Sequence, residues 1–167
     1  HSVDAADAQI RTPITDGAHD EPWVFRFKDI QNWWANAHHE RVNGVRSEVA
    51  TAWVPGSKPV WFTELGCAAI DKGTNEPNKF LDQKSSESSV PKYSNGARDD
   101  LIQKQYLRAM TTFWASNDNN PEATEYEGRM VDMTRAFVWA WDARPYPFFP
   151  NALSIWSDGE NYPRGHW

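Results

Sequence analysis

The chain has 167 residues, of which 17 are basic and 23 acidic, so its formal net charge is −6. This length suffices for one domain with a hydrophobic core. The acidic balance argues against a nucleic-acid partner, which requires a basic surface to replace the counterions of the phosphates. Membrane insertion is not expected either, because no apolar run approaches the roughly 20 residues of a membrane span.

Ten tryptophans accompany a low mean hydropathy of −0.75. One interpretation is that the indoles form the core, since aromatic side chains dominate core burial. The other is that several of them line a polar cleft. Sugars suit such clefts, because their C–H faces stack on indoles while their hydroxyls form hydrogen bonds. Composition leaves both interpretations open.

The first clear element is a helix predicted over residues 28–40. Its apolar positions at helical spacing are Ile30, Trp33, Trp34 and Ala37. The pair Asn43-Gly44 marks a break, and a polar stretch follows it.

Residues 58–66 predict a buried strand that ends on a carboxylate. The β-branched and aromatic residues at positions 60–63 favour a strand, and Pro59 suits its first position. A run that is apolar on both faces is typical of a parallel strand covered by helices. The C-terminal end of such a strand is where α/β barrels hold their functional groups. Glu64 is therefore the first candidate for function.

Three further elements complete the pattern. A polar loop over residues 68–95 is long enough to be functional or disordered, and a helix is predicted over residues 98–115. The predicted buried stripe of that helix consists of Leu101, Ile102, Tyr106, Ala109, Met110, Phe113 and Trp114. A second apolar strand over residues 135–142 ends at Asp142. The order strand, helix, strand predicts a βαβ unit with a parallel pair and an α/β fold. Residues 157–167 are turn-rich and expected to lie outside the core.

The two strands resemble strands seven and eight of the large clan of retaining glycoside hydrolases on the TIM barrel. In that clan the glutamate at the end of strand seven is the nucleophile, which implies that role for Glu64. Strand eight of the clan often carries a tryptophan that forms the floor of a sugar subsite. The resemblance thus implies a substrate-binding role for Trp139 or Trp141, and Trp61 on the preceding strand is a further candidate for substrate binding.

Longer phrases resemble one family, the glycoside-hydrolase-like TIM-barrel domain of gene transfer agent and phage-like tail proteins. They are Thr12-Pro-Ile-Thr-Asp-Gly-Ala-His19, Asn32-Trp-Trp-Ala-Asn-Ala-His-His39, Lys84-Ser-Ser-Glu-Ser88, Phe137-Val-Trp-Ala-Trp-Asp-Ala-Arg-Pro145 and Trp156-Ser-Asp-Gly with Tyr162-Pro-Arg-Gly-His-Trp167. The resemblance implies a tail-tip or baseplate protein, made in the cytoplasm and acting at the cell surface. Its implied partners are a cell-envelope glycan and other tail proteins, and no cofactor is implied.

The chain departs from the clan in one respect. The clan carries its general acid/base glutamate on strand four, usually after an asparagine, and nothing upstream of residue 58 resembles that motif. We therefore expect residues 1–156 to be the C-terminal part of an incomplete (β/α)8 barrel, since a whole one takes about 250 residues. Residues 157–167 would then lead to a following domain. The proton donor would lie outside this chain, which alone is expected to be inactive as a hydrolase.

Each candidate residue has a plainer alternative. Glu64 is either a nucleophile or a structural carboxylate that accepts hydrogen bonds from loop N–H groups. Asp142 and Arg144 bind sugar hydroxyls, orient Glu64, or form a salt bridge with each other. Trp139 and Trp141 share a face of their strand, where they serve as a sugar platform or as core.

Other polar groups give weaker signals. Cys67 is the only cysteine, and it is expected to be a small buried thiol, because no histidine is placed to activate it. His38 and His39 point about 100° apart on a helix and do not chelate one metal ion well. His19 with Asp16 and Asp20 lacks a recognised metal spacing, so no metal site is expected.

The sequence leaves three alternative functions open for the protein. It is a hydrolase of an envelope polysaccharide, or it is a carbohydrate-binding or structural tail module without turnover. The third function is that of a half-barrel that dimerises through its exposed sheet edges.

Overall fold

The computed structural model describes residues 2–5, 10–82, 85–139 and 144–164, and only the backbone of residues 2–5. The chain divides into two compact units, His1–Pro59 with Asp118–Met130 and Val60–Asn117 with Val131–Trp167. The domain boundary predicted after residue 156 stays a prediction. Within the described ranges, none of the helices has the length and apolar character needed to cross a membrane.

The first unit contains two antiparallel strand pairs and two short helices. Its elements are β1 (Ser2–Ala5), β2 (Ile10–Thr12), a 3-10 helix (Pro22–Phe25), α1 (Ile30–Ala35), β3 (His39–Val42) and β4 (Val45–Ala50). Strand β1 pairs with β2, and β3 pairs with β4. Helix α1 is shorter than the predicted 28–40, because Asn36 already has an extended backbone and β3 begins at His39.

The predicted break at Asn43-Gly44 is a hairpin turn. Asn43 and Gly44 have φ values of 52° and 80°. Two central residues with positive φ form the type I′ turn, whose twist matches that of antiparallel strands. The Asn-Gly pair between Val42 and Val45 was the signal for a β-hairpin, which the prediction of a polar stretch missed.

An ion cluster ties this hairpin to the segment before the 3-10 helix. Arg46 donates to the Glu21 carboxylate from Nη2 at 2.8 Å and from Nε at 2.9 Å, and Arg41 donates to it as well. The hydrogen bonds from Arg46, with those from Arg41, lower the pKa of Glu21 from 4.5 to about 2 despite its desolvation. Glu21 therefore stays ionised at neutral pH, and its ion pairs stabilise the fold.

The Glu21 cluster predicts acid-dependent stability. Glu21→Gln is expected to lower the free energy of unfolding at pH 7 by about 2 kcal/mol, because hydrogen bonds to charged groups contribute about 1.5–3 kcal/mol. A depressed carboxylate pKa stabilises the folded state above the ordinary value of 4.5, and that contribution is lost as the pH falls toward about 2. Urea unfolding of both proteins between pH 7 and pH 2 checks this, with the exposed Glu40→Gln as the matched control. A constant difference across this pH range would contradict it.

The second unit contains the predicted βαβ arrangement. Strand β5 (Val60–Leu65) pairs in parallel with β6 (Val131–Val138), and helix α2 (Asp100–Ala115) lies between them in sequence. The Phe62 ring of β5 packs on the Trp114 ring of α2, with ring centroids 5.7 Å apart. The α/β class and the parallel pair are confirmed. No closed barrel forms within the described residues, which is consistent with a partial barrel.

Helix α2 has the predicted position but a narrower buried stripe. Asp99 caps it by accepting a hydrogen bond from the Ile102 N–H at 3.0 Å. The buried or half-buried row of predicted positions is Ile102, Tyr106, Met110 and Trp114. The prediction is wrong for Leu101, Ala109 and Phe113, which are exposed. Each of these lies one position before a member of the row, which is about 100° around the helix.

Strand β6 begins and ends four residues earlier than predicted. It spans Val131–Val138 rather than 135–142, although the Trp139 N–H still donates to the Leu65 carbonyl at 3.0 Å. The prediction that the strand ends at Asp142 is therefore wrong. Trp141 and Asp142 lie outside the described residues.

The loop after β5 and the C-terminal segment contribute to the core. Ala68, Ala69 and Ile70 are buried, so the predicted loop over 68–95 does not begin as a solvated segment. A 3-10 helix (Gly73–Asn75), helix α3 (Phe148–Asn151) and a 3-10 helix (Gly159–Arg164) complete this unit. Asp158 and Asn161 are buried, and the Asn161 amide donates to the Leu81 carbonyl at 3.0 Å. The prediction that residues 157–167 lie outside the core is wrong for these residues.

Candidate functional site

The C-terminal ends of β5 and β6 meet at residues 65–66 and 138–139. Leu65 pairs with Val138, and a Cβ placed on Gly66 would lie 2.5 Å from the Trp139 carbonyl oxygen. Only a residue without a side chain allows the two chains to approach so closely. Glu64 directly precedes this contact in β5, and Trp139 takes part in it. Both predicted site residues thus lie where the two strand ends meet.

Gly66→Ala is predicted to force the strand ends apart. The added methyl group meets a backbone oxygen, which does not move as easily as the end of a side chain, and such overpacking costs about 1–3 kcal/mol. We expect a loss of unfolding free energy of that size in urea denaturation. Gly17→Ala is the matched control, because no atom lies within 4 Å of its added Cβ. Equal stability of the two variants would contradict the close approach at Gly66.

One face of this strand pair is exposed and aromatic. Trp61, Phe137 and Trp139 are 49, 51 and 53% exposed, respectively. Arg135, Phe137 and Trp139 alternate along the chain and so share one face. The expectation that helices cover β5 on both faces is wrong within the described residues. Helix α2 packs against Phe62, while Trp61 points away from that contact.

Arg135 extends this face as a cation stacked on an indole. Its guanidinium carbon lies 5.1 Å from the centre of the Trp61 ring. A guanidinium over an indole is attracted by the ring quadrupole, and it keeps its N–H donors available at the edge. We call Trp61, Arg135, Phe137 and Trp139 the aromatic face. Sequence reasoning missed Arg135 and Phe137, although their alternation with Trp139 was the signal.

The Glu64 side chain is exposed to solvent because the regular alternation of exposed and buried residues along β5 is interrupted near its end. The pairing with β6 shifts between Phe62 and Leu65, so that Leu65 is buried at 4% exposure while Thr63 and Glu64 are both exposed. Among the described residues, no hydrogen bond or ion pair engages the Glu64 carboxylate. The alternative of a carboxylate held by loop N–H groups therefore finds no support within those ranges.

The Arg144 side chain contacts residues of the C-terminal segment. It donates to Asp158 Oδ2 at 2.8 Å, and its guanidinium carbon lies 3.6 Å from the Phe149 ring centre. Arg144 thus forms an ion pair with Asp158, 14 positions along the chain, and the predicted salt bridge with Asp142 lies outside the described residues. A side chain fixed by an ion pair and a stacked ring is well ordered, but sugar binding by Arg144 stays a prediction.

The remaining candidates have structural roles. Cys67 is confirmed as a buried thiol, and burial raises its pKa to about 11, which keeps it protonated. The prediction that His38 and His39 lie on one helix is wrong: His38 packs among Trp23, Trp33 and Trp53, and His39 lies in β3. Within the described ranges, no group of three or more His, Cys, Asp or Glu side chains is placed to hold a metal ion.

The parallel βαβ unit with its functional candidates at the C-terminal strand ends is the arrangement found in α/β barrels. The family model of the GTA TIM-barrel-like domain matches residues 1–150, and the chain belongs to that family. The match confirms the resemblance to the TIM-barrel domain of gene transfer agents; glycoside-hydrolase character stays a prediction. No curated protein and no solved structure matches the chain.

Proposed function

We propose that this domain binds a cell-envelope polysaccharide in the tail of a phage-like gene transfer particle. The observation that carries the proposal is the aromatic face, with three large rings that are each about half exposed. Contiguous exposed apolar surface marks an interaction site. Family membership supplies the setting, because it relates the protein to gene transfer agents.

The chemistry of the aromatic face suits a sugar chain. An indole offers a flat apolar surface for the C–H face of a sugar ring; Trp61 lies on β5, and Trp139 directly follows the neighbouring strand β6. Arg135 adds N–H donors beside Trp61 for hydroxyl oxygens. Each residue of a polysaccharide presents both a C–H face that can stack on a ring and hydroxyl groups that can accept hydrogen bonds.

The proposed location is the tail tip or baseplate, where a particle first meets the envelope. The protein would be made in the cytoplasm and act at the cell surface, with other tail proteins holding the domain in place. Sugar binding at this point would hold the particle on the recipient cell.

Hydrolysis of the bound polysaccharide is the second candidate function. It is favoured by the exposed Glu64 at the C-terminal end of a parallel strand. In a retaining mechanism, the ionised Glu64 would attack the anomeric carbon while a second carboxyl group, about 5–5.5 Å away, protonates the leaving oxygen. Binding does not depend on this step.

Isothermal titration calorimetry with purified envelope polysaccharide of recipient cells tests the binding function. We expect saturable binding to at least one envelope polysaccharide, and weaker binding to an unbranched storage glucan as the control. An absence of binding to every envelope polysaccharide of cells that receive the particles would contradict the proposal.

A further inference from the structure

The first unit contains an open cavity of about 450 Å³ that the aromatic face does not include. Its lining residues are Ile14, Phe25, Arg26, Phe27, Lys28 and Asp29. The volume falls within the range of about 300–1,000 Å³ that is usual for small-molecule sites. Of these residues, only Lys28 and Asp29 fall within the predicted helix over residues 28–40, and none is a predicted site residue.

The apolar part of this cavity is unusually open to solvent. Phe27 is 91% exposed and Phe25 is 56% exposed, so neither ring contributes much to a core. A large aromatic side chain in water gains little from folding. Two such rings at one cavity offer flat surfaces for a ligand with an apolar face.

The charged side chains of the cavity have a net positive charge, and one of its two cations forms no ion pair with the described residues. The Arg26 Nη2 donates to the Ile14 carbonyl at 2.6 Å, and Arg26 Nη1 lies 3.6 Å from Asp29. Asp29 also accepts hydrogen bonds from the backbone and the side chain of Asn32 at the start of α1. Its carboxylate is thus already engaged with a cation and with donors.

Lys28 is the cation that remains for a ligand. Its Nζ lies over one face of the Phe27 ring, 5.3 Å from the ring centre. Because Phe27 is 91% exposed, the rest of the ring remains open to a ligand beside this ammonium group. Arg26 and Lys28 against Asp29 give the lining a formal charge of +1, while the whole chain has −6. An anionic group beside a flat apolar face matches this combination.

We infer that this cavity binds an acidic sugar residue, with its ring stacked on Phe27 and its anionic group on Lys28. The inference rests on the proposed polysaccharide-binding function, to which it adds a preference for charged glycans. A carboxylate and a phosphate share the chemistry that Lys28 recognises. The sugar is therefore a uronic acid or a sugar phosphate.

The test is a calorimetric titration of the protein with three probes at low ionic strength. The probes are trigalacturonate, glucose 6-phosphate and the neutral trisaccharide maltotriose. We expect at least one of the acidic probes to bind about tenfold more tightly than maltotriose, and the stronger one identifies the anionic group. We expect Lys28→Gln to remove this preference, and we expect Phe27→Ala to weaken binding of the acidic probe by about tenfold.

Both substitutions replace exposed side chains, so the fold should persist, which circular dichroism verifies. Lys104→Gln on the exposed side of α2 is the matched control and should bind as the wild type does. The inference is overturned if Lys28→Gln retains the preference, or if the acidic and neutral probes bind equally. Failure of the proposed function is distinct: no envelope polysaccharide would then bind, whatever Lys28→Gln does to the acidic probes.

Discussion

Replacing Trp139 with alanine is expected to weaken binding of envelope polysaccharide by about tenfold or more. Truncation of a tryptophan that anchors a ligand typically costs more than about 1 kcal/mol, and 1.4 kcal/mol corresponds to about tenfold in affinity. Trp139 is half exposed, so the change removes a stacking surface without opening a cavity in the core. The same calorimetric titration that tests the proposed function measures the loss.

Two comparisons make this result specific. Trp61→Ala should cause a similar loss, because it removes the second indole and the support of Arg135. Leu101→Ala removes an exposed apolar side chain from α2 and should leave the affinity unchanged. Wild-type affinity in both tryptophan variants would show that the sugar binds elsewhere.

In a protein that combines this domain with the general acid expected outside this chain, Glu64→Gln is expected to abolish hydrolysis of the polysaccharide while leaving its binding intact. Glutamine retains the size of the side chain, but its amide is not a nucleophile at the anomeric carbon. Removing a group that acts in the transition state lowers the rate by several orders of magnitude, while a group outside the stacking surface contributes little to affinity. Release of reducing ends over time, together with calorimetry, measures the two effects separately.

The control for this variant is the exposed Glu127→Gln, which should hydrolyse the polysaccharide at the wild-type rate. Turnover by Glu64→Gln at the wild-type rate would remove Glu64 from the mechanism. If the protein that carries both Glu64 and the general acid releases no reducing ends from any envelope polysaccharide, the hydrolase candidate fails and the binding function stands alone.

The core of the second unit could be predicted from the sequence because its signals are local and redundant. Residues 60–63 favour a strand by residue type, and the four-residue spacing in α2 repeats from Ile102 to Trp114. The parallel pairing then follows from the order of elements, since a helix between two strands favours a crossover. The end of β5 near Glu64 was predicted correctly for the same reason.

The parts that failed depend on contacts between distant segments. The apolar run continues from Phe137 past the end of β6, so nothing local marks where pairing with β5 stops. The ion pair of Arg144 with Asp158 was not predicted, because a pair separated by 14 positions has no local pattern. The exposure of Glu64 depends on the register shift between Phe62 and Leu65, which only the pairing with β6 defines. Such features depend on tertiary structure rather than on residue preference.

The most direct test of the central claim, that the aromatic face binds the polysaccharide, is to follow the indole N–H signals of ¹⁵N-labelled protein during a titration. We predict that the signals of Trp61 and Trp139 shift in proportion to saturation, with Trp61→Ala and Trp139→Ala assigning them. The Trp34 signal should not move, because this indole is buried and donates to the Lys58 carbonyl at 2.8 Å. Saturable binding that leaves the signals of Trp61 and Trp139 unchanged would contradict the claim.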